Sequence, residues 1–225
     1  MEVPVKAGDL LGTGGLVDFG PIEDSRLQIS GFVNPSRHDL HRGFCPLNYF
    51  TPGLQTAYTA MLGAWNGAFV PRTNQPACGT IMEDVAGTAQ GDWYFPGAPE
   101  HPDDPHLSLI HFSVDPSSAS FSSGTSIPNF VGTHDFTPKT IPDGTRINYD
   151  FNLVSDNQLY CYDSMKIEFI ANVGGPDPQL AGHIVLLQLS PSKNSLTIEL
   201  QNAGTNCATA GPPWSFTGAA VAFER

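Results

Sequence analysis

The residues best suited to chemistry lie in the run Glu100-His101-Pro102-Asp103-Asp104-Pro105-His106, with His111 and His134-Asp135 further on. Histidine beside carboxylate is the donor set of zinc and of non-haem iron. His101, His106 and His134 are therefore the candidate metal ligands, and Asp103, Asp104 and Asp115 are a candidate oxygen set for calcium, although no EF-hand spacing surrounds them. His106 and His111 cannot easily share an ion within a regular strand, because an odd spacing sends the two rings to opposite faces. His101, His106 and His134 would have to converge through tertiary folding. The competing reading is a solvated acidic loop, which is what such charge runs usually are, and it is the favoured one here.

Nucleophilic catalysis has less support. The chain contains no Gly-x-Ser-x-Gly elbow. Ser190-Pro191-Ser192-Lys193 has Ser-x-x-Lys spacing, but it falls in a turn between two strand patterns, whereas that motif belongs at a helix start. The four cysteines, Cys45, Cys78, Cys161 and Cys207, are even in number and contain no Cys-x-x-Cys, which disfavours a zinc ribbon or a thioredoxin-type centre. Three pairings are possible. Cys45 with Cys78 and Cys161 with Cys207 is the expected one, since each bridge then links neighbouring parts of one structural half; bridged cysteines cannot act as nucleophiles. A glycosidase-type pair needs two carboxyl groups about 5–10 Å apart across a cleft, and the 22 acids offer many such pairs.

Aromatic side chains provide the other candidate site. Trp93, Phe95, Tyr160, Tyr162 and Trp214 are the expected ligand-binding positions, because such rings stack on sugar faces and line apolar pockets. In a β protein the same rings also serve as core and cross-strand pairs.

These positions need elements to hold them. Thr51 is a good N-cap and Pro52 suits the first helical position. Leu54, Tyr58, Met61, Leu62 and Trp65 then fall on one helical face, so a helix over about 52–65 with a core-facing stripe is expected, stopped by Asn66-Gly67. Beyond Pro71–Pro76, read as a linker, the signals are nearly all β. Strands are expected at 79–84, 88–95, 106–114, 118–122, 146–154, 158–162, 166–173, 183–189, 195–201 and 219–223, separated by turn signals such as Pro142-Asp143-Gly144 and Lys193-Asn194. Ile184-Val185-Leu186-Leu187 reads as a strand buried on both faces. The fold class is mainly β: an antiparallel meander forming a barrel or sandwich over 76–225, after a small β-hairpin and helix unit over 1–70.

Composition restricts partners and compartment. The chain has 225 residues, long enough for a substantial core. A net charge of −12, with only 10 Lys and Arg, argues against a nucleic-acid partner and against adhesion to an anionic membrane. No apolar run is long enough for a membrane span. A disulfide framework implies an oxidising compartment, hence an extracellular or periplasmic protein. The chain enters directly into a strand-like pattern at Met1, as one relieved of a leader and an upstream segment would.

Two stretches resemble known families. Val5-Lys6-Ala7-Gly8-Asp9-Leu10-Leu11-Gly12-Thr13-Gly14-Gly15, with Val33-Asn34-Pro35 after it, resembles the last hairpin of lysostaphin-like zinc endopeptidases over residues 3–37. That family's His-x-His-Phe is replaced here by Leu16-Val17-Asp18-Phe19, so the resemblance implies a remnant without catalytic machinery. Gly91-Asp92-Trp93, with Arg225 at the far end, resembles lipocalin-type barrels over 79–225, which implies that the arginine stacks on the tryptophan and closes the barrel floor. The expected function is a non-catalytic extracytoplasmic binding module for a small apolar ligand or glycan, with no cofactor unless zinc or calcium binds. The alternatives are a cell-wall or polysaccharide hydrolase, metal-assisted through His101, His106 and His134, and a structural component of an extracellular assembly.

Overall fold

The computed structural model describes residues 4, 6, 32–34, 45–65, 68–72, 75–79, 83–99, 105–167 and 178–225. These residues build a mainly β protein of eleven strands and two short α-helices, all strand pairs within its sheets being antiparallel. The peptidase-like stretch lies almost wholly outside the described residues.

The N-terminal unit holds a 3-10 turn over Pro46–Tyr49, helix α1 (Pro52–Thr59) and a hairpin of β1 (Gly63–Trp65) and β2 (Phe69–Pro71), with Trp65 opposite Phe69. A Cys45–Cys78 disulfide ties its two ends together. Pro52 occupies the start of α1 as its fixed φ favours. The helix is shorter than its periodicity predicts. Trp65 and Phe69 go into the hairpin instead. Asn66-Gly67, as good a sequence signal for a turn as for a helix stop, lies outside the described residues. The expected core stripe is not core: no residue of α1 is buried, and Leu54, Tyr58 and Met61 are exposed.

The larger unit contains β3 (Gly91–Trp93), β4 (Leu107–His111), β5 (Ala119–Ser123), β6 (Gly132–Phe136), β7 (Tyr160–Tyr162), β8 (Lys166–Ile167), β9 (His183–Leu189), β10 (Ser195–Asn202) and β11 (Val221–Glu224). One sheet runs β3-β4-β5-β6-β8 and the other β11-β10-β9-β7. Residues 163–165 carry the chain from the second sheet to the first, and at the opposite corner a bridge between Tyr94 and Glu224 joins β3 to β11. The sheets enclose one core without closing into a hydrogen-bonded barrel.

Strand alternation fills that core. Leu107 and Leu109 of β4, Phe121 of β5, Phe136 of β6, Tyr160 and Tyr162 of β7, and Val185, Leu187 and Leu189 of β9 share it with Trp93, Phe130, Phe151 and Phe223. Phe121 touches the rings of Phe130, Phe136, Phe151 and Tyr162, mostly edge to face, the arrangement that ring quadrupoles favour. Ile184–Leu187 is buried on both faces as expected. Its outer side chains Ile184 and Leu186 pack with Cys161 and Cys207 under Trp214 and Phe216. The Cys161–Cys207 bridge, beside helix α2 (Cys207–Ala210), fixes this second layer.

Of the expected strand 79–84, residues 80–82 lie outside the described residues and Glu83 and Asp84 are in no strand. Of 166–173 only Lys166–Ile167 is described. Two other differences have local reasons. Gly132–Phe136 is a strand despite its polar His134-Asp135, because neighbours on both sides supply its pairing. Residues 146–154 are not a strand. Arg146 and Asn148 take positive φ (57° and 53°), and Asp150 then caps a 3-10 turn over Phe151–Leu153 by accepting the Asn152 N–H. The up-and-down order puts residues 94–99, 105–106, 124–131 and 203–220, all connections between strands, at one end of the unit. Connections 112–118, 137–159 and 190–194 lie at the other, here called the base.

Gly91 shows how tightly β3 is placed. Its φ is +118°, and a Cβ there would lie 2.0 Å from Asp84 Oδ1, the oxygen that accepts the Asp92 N–H at 2.8 Å. Asp84 Oδ2 accepts the Val33 N–H at 2.7 Å. Gly91→Ala should therefore lower the unfolding free energy by about 1–3 kcal/mol. Urea denaturation checks this, and an unchanged midpoint would contradict the close approach.

Candidate functional site

The expected site residues do not form one site. Trp93, Tyr160 and Tyr162 are buried in the main core, and Phe95 packs edge-on against Phe223 at its margin. Trp214 lies on the other side of the four-stranded sheet, in the outer layer. Tyr162 is enclosed by Phe121, Phe136 and Phe151, and its hydroxyl has no hydrogen-bond partner among the described residues. Burial pushes that hydroxyl well above the usual phenol range, with the Tyr160 hydroxyl and the Asp150 carboxylate adding to the effect.

The histidines are similarly dispersed. His101 lies outside the described residues. His106 Nδ1 accepts the Phe95 N–H at 3.1 Å, which leaves Nε2 to donate to the Pro99 carbonyl at 3.0 Å. His134 stacks on Phe130 with ring centroids 4.4 Å apart. Asp135, on the opposite face of β6, accepts a hydrogen bond from Ser120, and burial raises its carboxyl above the usual range. Among the described residues no three His, Cys, Asp or Glu side chains form a metal-holding group.

A mostly buried polar arrangement at the base centres on His111. This last residue of β4 follows Leu107 and Leu109 on the inward face, opposite in sense to His106 as the odd spacing requires. Its Nδ1 lies 3.0 Å from Glu83 Oε2 and its Nε2 3.1 Å from Asp150 Oδ2, while its backbone N–H donates to Glu83 Oε2 at 2.7 Å. All three side chains are mostly buried. Both ring nitrogens thus meet acceptors, an arrangement that only the imidazolium satisfies. The hydrogen bond to Asp150, then that to Glu83, raise the His111 pKa from 6.5 to about 9 against the opposing cost of burial. Burial alone would raise the Asp150 carboxyl, but the bond and charge of His111 hold it below its usual range.

A second cation fastens the same end. The Arg225 guanidinium lies 4.1 Å from the Trp93 ring centroid. Its Nε, Nη1 and Nη2 donate to the carbonyls of Asp92, Thr88 and Gln90 at 3.3, 3.3 and 2.6 Å. Trp93 Nε1 donates back to Ala89 at 2.7 Å, so residues 88–93 are held from both sides. The Arg225 backbone N–H donates to Asn194, in the β9–β10 turn.

Sequence reasoning missed Glu83 and Asp150 as partners of His111. They lie 28 and 39 residues from it, and the available signal was the even spacing that puts His111 in register with Leu107 and Leu109. No family model, no characterised protein and no solved structure matches this chain.

Two outcomes follow from the geometry. Because the folded His111 pKa lies above its unfolded value, its stabilisation is complete below about pH 6.5 and is lost as the pH climbs through 9. The loss is at most about 3 kcal/mol and should disappear in His111→Gln when unfolding free energies are compared across that window. A double-mutant cycle of Trp93→Leu and Arg225→Met should give a coupling of about 0.5–2 kcal/mol, and strict additivity would refute the stacking.

Proposed function

We propose that this chain is a non-catalytic, extracytoplasmic binding module whose ligand, a small apolar molecule or a glycan, is met at the end carrying residues 94–99, 124–131 and 203–220. The observation that carries the reading is the asymmetry of the two-sheet unit. One end is fastened by Arg225 and by His111 between its two carboxylates and also carries the longest connection, 137–159. Among the described residues, the connections of the other end are not engaged by these two cations, and surface connections are the usual place for binding surfaces on a rigid β scaffold. The Arg225–Trp93 contact also fits the lipocalin-like reading of Gly91-Asp92-Trp93.

The non-catalytic part rests on His111. An imidazolium held between two carboxylates has no ring lone pair for proton abstraction and none for a metal. Two disulfides, with no helix among the described residues long and apolar enough to cross a membrane, fit export.

Calorimetric titration against soluble glycans and short-chain lipids, with product analysis of the same mixtures, tests the reading. Saturable binding without turnover is expected, with amide-shift changes confined to 94–99, 124–131 and 203–220. Turnover of any glycan, or ligand-induced shifts centred on the base, would overturn it.

A further inference from the structure

The hydrogen bonds of His106 give the chain a function for this histidine other than metal binding. The ring sits in the neck of the β3–β4 connection, where the Phe95–Pro99 turn closes through the Ala98 N–H to the Phe95 carbonyl at 3.1 Å. Nδ1 receives the Phe95 N–H, and Nε2 gives its hydrogen to Pro99. This is the opposite of His111: one nitrogen must be a bare acceptor, so the clasp needs the neutral imidazole in a single tautomer. The backbone of His106 is itself anchored, since its carbonyl accepts the Gly124 N–H at 2.9 Å. The ring can therefore release the turn without dislodging β4.

We infer that His106 is an acid-sensitive clasp that fastens the Phe95–Pro99 turn to the start of β4 and lets it go on protonation. A proton on Nδ1 puts two N–H donors face to face 3.1 Å apart, and Phe95 loses its acceptor. Among the described residues the titratable group shown packed on the ring is Tyr94, at 5.2 Å between centroids, and Tyr94 pairs through its backbone with Glu224 of β11. Glu100, His101, Asp103 and Asp104 follow Pro99 in the chain. The turn belongs to the loop-bearing end, so the clasp would make that end's shape depend on pH. The inference does not depend on which ligand binds there, or on whether one does.

Glutamine provides a discriminating substitution, because its side chain offers one acceptor and one donor at every pH. Amide hydrogen exchange at Phe95 and Ala98, corrected for intrinsic rates, should be followed from pH 7.5 to 4.5 in the wild type and in His106→Gln, with imidazole NMR of the wild type alongside. The wild type should lose at least tenfold in protection at both amides as the His106 ring protonates, whereas His106→Gln should hold its protection constant. The inference is overturned if protection persists while the ring is protonated, if the ring stays neutral throughout, or if His106→Gln loses protection in parallel. The wild-type comparison of ring and amides decides the question even if the variant does not fold.

Discussion

The architecture depends on a partly buried cation that has no carboxylate paired with it among the described residues. Arg225 cannot shed its proton, and removing a guanidinium from water costs several kcal/mol unless its donors are met. Here they are met by three backbone carbonyls from one short stretch and by the face of Trp93. That requirement fixes the path of residues 88–93, hence the start of the first sheet, against the end of β11 in the second. Two sheets that share only local bridges at this corner are thereby held in one relative position. The aromatic core between them packs around Phe121.

His111 extends the same logic with a different charge balance. In a chain carrying −12 net charge and 10 Lys and Arg, carboxylates drawn into the structure seldom find a strong cation. Asp84, Asp163 and Glu199 are satisfied by N–H and O–H donors instead: Asp84 by Val33 and Asp92, Asp163 by Asn148 and Cys207, Glu199 by Gln201 and Thr217. Glu83 and Asp150 are the pair that share a positive partner, and that partner is a histidine rather than a lysine or arginine. The adjacent residues Glu83 and Asp84 accordingly divide the work, one gripping β4 and the other β3 and Val33.

The parts of this structure readable from sequence were those governed by local rules. Alternation gave the strands of the meander and the doubly buried Ile184–Leu187, and cysteine placement gave both disulfides. The α1 stripe misled because periodicity reports amphipathicity, not what covers the apolar face; Leu54, Tyr58 and Met61 have the right spacing and are exposed. β6 was hidden because its polar residues looked like site residues, while pairing with β5 and β8 decides its conformation. Residues 146–154 looked extended, but two positive-φ residues and the Asp150 cap redirect them. The His111 site escaped detection because its three members come together only through tertiary structure, and the acids were too numerous for spacing to single out Glu83 and Asp150.

These points converge on a scaffold whose base is occupied by structural cations. The geometry around His111, with an acceptor at each ring nitrogen, favours a positively charged ring, and the proposed non-catalytic reading rests on that assignment. The most direct test is a nitrogen-15 NMR measurement of the His111 ring in the native protein at neutral pH. Two protonated ring nitrogens, persisting to about pH 9, are the predicted result. A neutral ring with one unprotonated nitrogen at pH 7 would contradict the account, and would return His111, with Glu83 and Asp150, to consideration as an acid–base centre.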